Sequence, residues 1–574
     1  MKGGRDLKKF TQHTFDLLIV GGGIYGACAA WEAASRRLSV ALVEKWDFGH
    51  ASSANHLKMV HGGIRYLQHA DIKRIRESSY ERSAMLRIAP HLVEPLPIMI
   101  PTYGHGKKGK EILGAGMACY DLVTCDRNRG IEDPSRRIPN GSFVPREQAL
   151  DEIPGLDRDG LTGAAVFNDG QVYSPPRLTI SFIRSAIGAG ALAANYIALE
   201  DISISAGRVI GAKLLDSLTG ESLNISCKNI LLTTGGWTQQ LLETTAGLSL
   251  QPGPVFSRDL AFVINRPLVQ RYGFACPLQT KDADAVLDRG GRHLFVAPWR
   301  NCTLVGVWHE VYREKPEYVS TTVDELKSFL AEVNAAHPDF SLSLDDISMV
   351  LTGLTLFGEE GDQAIGKMSF GKRSMLVDHQ VRDQIDGLVS LIGVRATTAR
   401  GMAQKAVEMI AAKNNIALNP SMTARIPIFG GDIKNSSLLL QLIVSRFADR
   451  VTPEALYALS RNYGSEYERV MRYAQEQPEL LQPLGSSNVL GAEVVHAVKE
   501  EMSVKLADVV FRRTDLGTTG DVSEEALHAC GRLMADVLGW DEAALEKEQA
   551  EVRKHLEKKG FLSNNFLSTD TDVG

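Results

Sequence analysis

The sequence predicts an α/β protein with a Rossmann-like dinucleotide-binding unit, a β-rich middle part and a helical C-terminal part. Three observations predict this fold class. Residues 15–48 read as strand, glycine-rich turn, helix and strand in that order. Short β-rich runs dominate from Leu260 to Phe357, and past about Pro420 the composition shifts to helical patterns without glycine motifs.

The first strand ends at glycines that are spaced G-x-G-x-x-G. Phe15 to Val20 is a short apolar run, which is typical of a parallel strand buried on both faces. Gly21 permits a tight turn, Gly23 lets the backbone approach a pyrophosphate, and Gly26 lets the next helix pack closely. The N-terminus of that helix favours negative charge, so we expect a phosphate there.

A second apolar run, Leu38 to Val43, ends at Glu44. A carboxylate at this strand tip accepts hydrogen bonds from a ribose diol and repels the 2′-phosphate of NADP. Lys45 follows it and is a further candidate cofactor-binding residue. Strand, glycines, alanine-rich helix, strand and terminal Glu in register predict a dinucleotide site without saying which dinucleotide. The alternative is a glycine-rich turn that binds nothing.

Length and charge limit the function classes. A chain of 574 residues is too long for one core, so we expect two or three domains. A net charge of -6 gives no support to nucleic-acid binding, which needs a basic excess or patch. The seven cysteines are scattered without a C-x-x-C pair, which argues against a zinc knuckle or disulfide framework and for a reducing compartment.

Targeting signals are absent from the sequence pattern. The first residues lack the apolar core of a signal peptide, and no run of about 18 consecutive apolar residues exists. We expect a cytoplasmic protein. Residues 104–130 are basic and then apolar, which suits either a membrane-interface element or an ordinary buried helix, so peripheral attachment to the inner face of the cell membrane stays open.

The next segment contains a serine pair and the motif HGGIRYL, which runs from His61 to Leu67. Serine hydroxyls can cap a helix and donate to phosphate. The segment resembles the flavin-linked glycerol-3-phosphate dehydrogenases and oxidases, with one extra residue between Ser53 and Lys58. The resemblance implies that FAD is bound here by Ser52, Ser53, Lys58, His61, Gly62 and Gly63.

Two later segments extend the resemblance, which runs from about Phe15 to about Leu556. Residues 229–237 read NILLTTGGW and resemble the A-T-G-x-W of two-dinucleotide flavoproteins, which implies that Thr234, Gly235 and Trp237 lie near FAD. After the apolar strand Leu388 to Gly393, Thr397 and Thr398 match the family's paired threonines at a helix N-terminus. The dipole of that helix would stabilise negative charge on a reduced flavin.

The resemblance implies a Rossmann-like FAD domain interleaved with an antiparallel β-rich substrate domain, and an all-helical C-terminal domain. We expect residues 15–90 to form the FAD-binding domain, with 161–248 and 360–415 returning to it. The substrate domain is expected at 91–160 and 249–359, and the helical domain at 420–560.

Oxidation of a secondary alcohol by flavin needs a base, a hydride path to N5 and cations for a substrate phosphate. The resemblance implies that Arg65 and Tyr66 lie near the substrate. It also shows departures, because Arg395 stands for a lysine, Thr355 for an arginine and Leu260 for a histidine. His309, where relatives usually carry aspartate, is the candidate base, since imidazole titrates near neutrality; a histidine that only hydrogen-bonds in a loop is the alternative.

Three functions follow from the sequence. The first is FAD-dependent oxidation of glycerol 3-phosphate, or a related polyol phosphate, to the ketone, with a quinone or oxygen as electron acceptor. The second is a flavin oxidase of an amine or hydroxy acid on the same scaffold, which the altered substrate residues favour. The third is a catalytically silent FAD-binding protein.

Overall fold

The computed structural model describes residues 5–105, 109–281, 291–359 and 374–557. Its strands are β1 Thr14–Phe15, β2 Leu17–Val20, β3 Val40–Val43, β4 Met59–Val60, β5 Val93–Tyr103, β6 Ser142–Val144, β7 Leu161–Val172, β8 Leu192–Ala194, β9 Ile197–Ser205, β10 Arg208–Asp216, β11 Ser222–Cys227, β12 Ile230–Leu232, β13 Pro254–Ile264, β14 Gly273–Lys281, β15 Gly291–Trp299, β16 Cys302–Tyr312, β17 Ile347–Glu359, β18 Met375–Asp378 and β19 Leu388–Ile392.

The α-helices are α1 Leu7–Phe10, α2 Ile24–Ser35, α3 Ile72–Ile88, α4 Lys110–Val123, α5 Arg146–Glu152, α6 Pro175–Gly188, α7 Thr238–Ala246, α8 Val323–Ala336, α9 His379–Asp383, α10 Ala399–Lys413, α11 Ser436–Phe447, α12 Pro453–Tyr463, α13 Tyr467–Glu476, α14 Gly491–Glu500, α15 Leu506–Asp508, α16 Glu524–Leu538 and α17 Glu542–Glu557. A π-helical turn, Val509–Arg513, continues α15.

A six-stranded sheet forms the centre of the dinucleotide-binding unit, in the order β18-β19-β12-β2-β3-β8. Its ladders are parallel except for the β18–β19 pair. In β2, Leu17 and Ile19 pack against helices α2, α6 and α10. Leu18 and Val20 pack on the other side, towards a four-stranded sheet of β1, β11, β10 and β9. Both faces are covered, as the continuous apolar run predicts, although that run divides at Asp16 between two sheets.

The second large sheet is the antiparallel layer predicted for the substrate domain. Its order is β17-β13-β16-β15-β14-β5-β7-β4, and β6 pairs with β7. Among the described strands of this nine-stranded sheet, only β14 and β5 pair in parallel. Helix α8 covers one face of the sheet through Leu326, Phe329, Leu330 and Val333.

The predicted division between these two units differs from the structure at two strands. We expected residues 161–248 to return to the dinucleotide-binding unit, but β7 pairs with β5 along almost its whole length, from Val93↔Val172 to Tyr103↔Leu161. Likewise β4, from the 15–90 segment, pairs with β7. Their hydrogen-bonded pairing therefore assigns β4 and β7 to the nine-stranded sheet. The order of the elements along the sequence does not reveal this pairing. Residues 360–373 of the predicted returning segment lie outside the described residues.

Helices α11 to α17 form the predicted helical domain, and buried ion pairs join it to the rest of the chain. Asp47, in the loop after β3, accepts hydrogen bonds from Arg512 and Arg513, and its carboxylate is fully buried. Arg177 of α6 pairs with Glu501 at 2.5 Å. Burial acts to raise the pKa of Asp47, but the charges of both arginines hold it well below its usual range.

Within the described ranges, no helix has the length and apolar character that a bilayer span requires. The segment considered for membrane contact contains α4, and its residues 106–108 lie outside the described residues. Helix α4 buries Leu113, Met117 and Tyr120 and exposes Leu122.

Candidate active site

The glycine-rich turn before α2 is too tightly closed to accept side chains. Gly21 has a φ of 106°, in the region that favours glycine. A Cβ atom on Gly26 would lie 1.9 Å from the carbonyl oxygen of Gly21, and one on Gly21 would lie 2.7 Å from that of Thr233. Gly23 is the N-cap of α2. The turn therefore exposes the N-terminus of α2 at a place where backbone and phosphate can approach closely.

The Glu44 carboxylate lies beside this turn. It accepts hydrogen bonds from the backbone N–H of Gly22 at 2.6 Å and of Trp46 at 2.9 Å. Burial raises the pKa of Glu44. Lys45 is exposed, and its Nζ lies 4.8 Å from the ring centroid of Trp46, which packs edge-on against Trp237 at 5.3 Å. An acceptor carboxylate and two indole rings thus stand near the predicted ribose position.

The two serines of the following loop have different partners. Ser53 Oγ accepts a hydrogen bond from the N–H of Ile24, the first residue of α2, at 2.9 Å. Ser52 Oγ instead donates to the carbonyl oxygen of Leu354 and accepts from its N–H, both at 2.9 Å. Ser53 therefore lies where a phosphate is expected, whereas Ser52 fastens the loop to β17.

A cavity of about 670 Å³ lies between the dinucleotide-binding unit and the nine-stranded sheet. This volume is within the range of small-molecule and cofactor sites. It begins at the turn before α2 and reaches the substrate sheet. The predicted site residues that line it are Gly23, Ser52, Ser53, His61, Gly63, Arg65, Tyr66, Gly235, His309, Thr355, Arg395 and Thr397.

A buried carboxylate organises the middle of the cavity. Asp169 of β7 accepts a hydrogen bond from the N–H of Gly62 at 2.6 Å and lies 3.0 Å from His61 Nδ1. Arg82 of α3, whose side chain is fully buried, donates to it at 3.2 Å. Burial acts to raise the pKa of Asp169, but the hydrogen bond and charge of His61, with the charge of Arg82, lower it. The HGG segment is thereby held against the substrate sheet.

The paired threonines lie at the N-terminus of α10. Thr397 Oγ1 accepts a hydrogen bond from the N–H of His61 at 3.1 Å and faces the cavity. Thr398 is buried, and its hydroxyl donates to the carbonyl oxygen of Arg395 at 3.3 Å. The positive end of the α10 dipole is thus directed at the cavity through Thr397.

Arginines cluster around Tyr66 at the far end of the cavity. The guanidinium carbons of Arg74 and Arg395 each lie 5.2 Å from the Tyr66 ring centroid. Arg395 Nη1 donates to the Tyr66 hydroxyl at 2.5 Å, while its buried Nε has no hydrogen-bond partner among the described residues. Arg74 is also paired with Asp71 at 2.9 Å. With Arg65 at the exposed edge, this end of the cavity is suited to an anion.

His309 forms a pair with an aspartate that also lines the cavity. Its Nδ1 lies 2.7 Å from Asp259 Oδ1, and Ser257 donates to the same oxygen at 2.7 Å. Because an ionised carboxylate only accepts, this contact places the imidazole proton on Nδ1 and the lone pair on Nε2. Thr355, for which the family resemblance implies an arginine, also lines this cavity.

Several predicted residues do not line this cavity. They are Gly21, Gly26, Glu44, Lys45, Lys58, Gly62, Thr234, Trp237 and Thr398. Most of these residues lie beside the glycine-rich turn or contact residues that line the cavity. Lys58 is different, because its amine lies 4.7 Å above the Trp299 ring and faces another cavity. Leu260, taken as the replacement of a family histidine, is buried in the substrate-domain core, so its neighbour Asp259 faces the site instead.

Sequence reasoning missed several cavity residues, among them Arg74, Asp169, Tyr25 and Asp259. Asp169 lies in β7 beside the polar residues Asn168 and Gln171, so the strand pattern alone does not single it out. Tyr25 occupies a variable position of the glycine motif, and its hydroxyl donates to the carbonyl oxygen of Arg395 at 2.7 Å. Asp259 precedes Leu260 and gives no sequence signal, because its partner His309 lies on the neighbouring strand β16.

These features together define a flavoprotein oxidoreductase. The glycine turn, the Glu44 carboxylate and the open end of α2 fit the pyrophosphate and ribose of FAD. The continuous cavity leads from there to the α10 N-terminus, where Arg395 and the His309–Asp259 pair line the space left for a ring and a substrate.

Sequence comparison agrees with this class. Residues 16–408 match the family described as FAD dependent oxidoreductase, and the chain belongs to that family. Residues 421–545 match the C-terminal domain of alpha-glycerophosphate oxidase. The predicted fold class and cofactor are thereby confirmed.

Two relatives match over nearly their whole length. The glycerol-3-phosphate dehydrogenase of Synechocystis is 27% identical, with 96% of this chain and 98% of that protein covered. The aerobic glycerol-3-phosphate dehydrogenase of Bacillus subtilis is 26% identical, with 96% of each covered. The crystal structure of the Bacillus halodurans glycerol-3-phosphate dehydrogenase complexed with FAD has the same fold, with a TM-score of 0.75 at 23% identity over 96% of both chains.

Proposed function

We propose that this protein oxidises glycerol 3-phosphate, or a closely related polyol phosphate, to the corresponding ketone. The observation that carries the proposal is the joining of three features in one cavity: the dinucleotide cradle, the His309–Asp259 pair and the arginine cluster at Tyr66. The names of the two full-length relatives support the same substrate.

The arginine cluster is suited to the substrate phosphate. Arg65, Arg74 and Arg395 present guanidinium groups at one end of the cavity, and planar forks of this kind bind phosphate oxygens in pairs. Arg395 is held in place by the hydrogen bond from its Nη1 to the Tyr66 hydroxyl. In this proposal the cluster takes the place of the arginine that the family resemblance implies at the position of Thr355.

The imidazole of His309 is suited to take the proton of the substrate hydroxyl. Asp259 fixes the ring through Nδ1, so that Nε2 accepts the proton and the carboxylate stabilises the imidazolium that forms. Both side chains are about one-fifth exposed, which keeps the pair accessible to substrate but partly shielded from water. When bound, the flavin of FAD supplies the hydride acceptor.

The decisive experiment is anaerobic reduction of the FAD-loaded protein. We expect glycerol 3-phosphate to bleach the flavin absorbance in a single turnover. Glycerol is the matched control, since it has the same alcohols without the phosphate and should act far more weakly. Bleaching by an amine or hydroxy acid instead would replace this proposal by the flavin oxidase. No response to a broad panel would leave a catalytically silent FAD-binding protein.

Electrons must then pass to an acceptor, for which we propose a quinone or oxygen, with the protein peripherally bound to the inner face of the cell membrane. Helix α4 supports the membrane contact, because Leu122 is 76% exposed and Ile112 38% exposed on a helix that begins with Lys110. Flotation with anionic vesicles tests it. Leu122→Asp should leave the protein unbound, and equal flotation of both proteins would exclude α4.

A further inference from the structure

A second, smaller cavity lies where three parts of the fold meet. Its volume is about 100 Å³. The loop after β3 contributes Asn55 and Lys58, the start of α6 contributes Ser174, and β17 contributes Thr352. The helical domain closes it with residues 511–520 and the end of α17. This cavity is distinct from the flavin cavity, because Leu57 and Met59 face the large cavity whereas Lys58 between them faces the small one.

Lys58 is a buried cation without a partner anion among the described residues. Its residue surface is 3% exposed, and its Nζ lies 4.7 Å from the ring centroid of Trp299. Among the described residues, no carboxylate or other acceptor hydrogen-bonds to this amine. Burial lowers the pKa of Lys58 to about 7, and the charge of Arg300 contributes. A buried amine normally has a partner, so its absence points to a ligand.

The surroundings of Lys58 favour negative charge. No aspartate or glutamate is among the described residues that line the cavity. Arg512 also lines it, but its guanidinium is paired with the buried carboxylates of Asp47 and Asp508. The α6 helix of 14 residues directs its N-terminus at the cavity. Pro175 and Pro176 occupy its first two positions and have no N–H. The helix therefore attracts an anion through its dipole rather than through backbone hydrogen bonds at these two positions.

The polar remainder of the lining adds no negative charge. It consists of amide, hydroxyl and imidazole groups, namely Asn55, Ser174, Ser320, Thr321, Ser348, Thr352, Thr518, His50 and His555. Ser348 and Thr518 already donate to the carbonyl oxygens of Val263 and Thr514. Burial lowers the pKa of His50 to about 3 and of His555 to about 4, so both are neutral at physiological pH. The cavity volume of about 100 Å³ is several times the roughly 10–15 Å³ that a single water requires, which is enough for one tetrahedral oxyanion but not for a nucleotide.

We propose that this cavity is a binding site for a small tetrahedral oxyanion of the phosphate class, with the Lys58 ammonium as its principal ligand. A phosphate there would neutralise Lys58 and bridge the cofactor loop, the substrate sheet and the helical domain. Occupancy would therefore hold the helical domain against the other two units. Because the ammonium form binds the anion, affinity should fall as the pH rises above about 7.

Crystals of the FAD-loaded protein soaked in tungstate, a heavy tetrahedral analogue of phosphate, test the site directly. We expect an anomalous peak within hydrogen-bond distance of Lys58 Nζ. A wild-type crystal that shows only water in this cavity would overturn the proposal. So would a peak that persists undiminished in Lys58→Met.

Thermal unfolding provides the solution test. Inorganic phosphate should raise the Tm of the FAD-loaded wild type above that in chloride of equal ionic strength. Lys58→Met should lose most of this increase, and the exposed strand lysine variant Lys213→Met should keep it. Arg65→Ala should also keep it, which separates this site from the substrate anion site. An increase that disappears in Arg65→Ala but not in Lys58→Met would assign phosphate to the active site alone.

Discussion

Replacing Asp259 by Asn tests whether the His309 imidazole is the base. The contact between His309 Nδ1 and Asp259 Oδ1 is 2.7 Å, and the two side chains are 22% and 20% exposed. Two unit charges about 4 Å apart attract by about 4 kcal/mol at the effective dielectric of about 20 that suits such sites. Partial exposure lowers this stabilisation of the imidazolium to about 3 kcal/mol. At about 1.4 kcal/mol per tenfold, Asp259→Asn should slow flavin reduction by about 10²-fold.

The assay is anaerobic stopped-flow reduction of the bound flavin at saturating glycerol 3-phosphate, with the apparent Kd taken from the substrate dependence. Ser257→Ala is the matched control. It removes one hydrogen bond to the same carboxylate oxygen but keeps the charge, so a loss of less than about tenfold is expected. A wild-type reduction rate in Asp259→Asn would refute the role of the pair.

Three further predictions concern the anion site, the cofactor cradle and the domain contact. Arg65→Ala should raise the KM for glycerol 3-phosphate at least tenfold while FAD stays bound; unchanged steady-state kinetics would remove Arg65 from the site. Gly26→Ala should yield protein without FAD, because its Cβ would lie 1.9 Å from the carbonyl oxygen of Gly21; normal flavin content measured by absorbance would contradict the packing argument. Asp47→Asn should lower the free energy of unfolding by about 3–5 kcal/mol, since it leaves Arg513 buried without its anion. The wild type should begin to lose this contribution as the pH falls below the usual carboxyl pKa of 3.8, because Asp47 has a lowered pKa and is stabilising only while ionised; denaturant titration from about pH 7 to about pH 2 checks both, and equal pH slopes in the two proteins would contradict it.

The cofactor cradle was predictable from sequence because its determinants are local. The turn before α2 is fixed by Gly21 and Gly26 within six residues of one another, and Glu44 follows at the end of the next strand. Each residue type there meets a requirement of backbone geometry or of phosphate charge, so the spacing of these residues is enough to predict the cofactor cradle.

The substrate end was less predictable because its contacts join distant strands. His309 and Asp259 meet through the ladder between β13 and β16, and Asp169 reaches the HGG segment only after β7 pairs with β4. A one-residue shift in comparing sequences exchanges the two faces of a strand, which is why Leu260 rather than Asp259 drew attention. Lys58 is predicted from the sequence to bind the cofactor, but it precedes β4 with a φ of 59°, and its side chain lines the smaller cavity instead.

The serine pair shows how cofactor and substrate geometry are coupled. Ser53 holds the first N–H of α2, at the phosphate end of the cradle. Ser52, the adjacent residue, makes two hydrogen bonds to the backbone of Leu354, and Thr355 next to it lines the substrate end. Because Ser52 and Ser53 are adjacent in the backbone, a displacement of Ser53 at the pyrophosphate end also displaces Ser52 and, through its hydrogen bonds, strand β17. The distance between the cofactor and the substrate sheet is therefore set by this dipeptide, whereas the residues of the cavity wall determine which substrate fits.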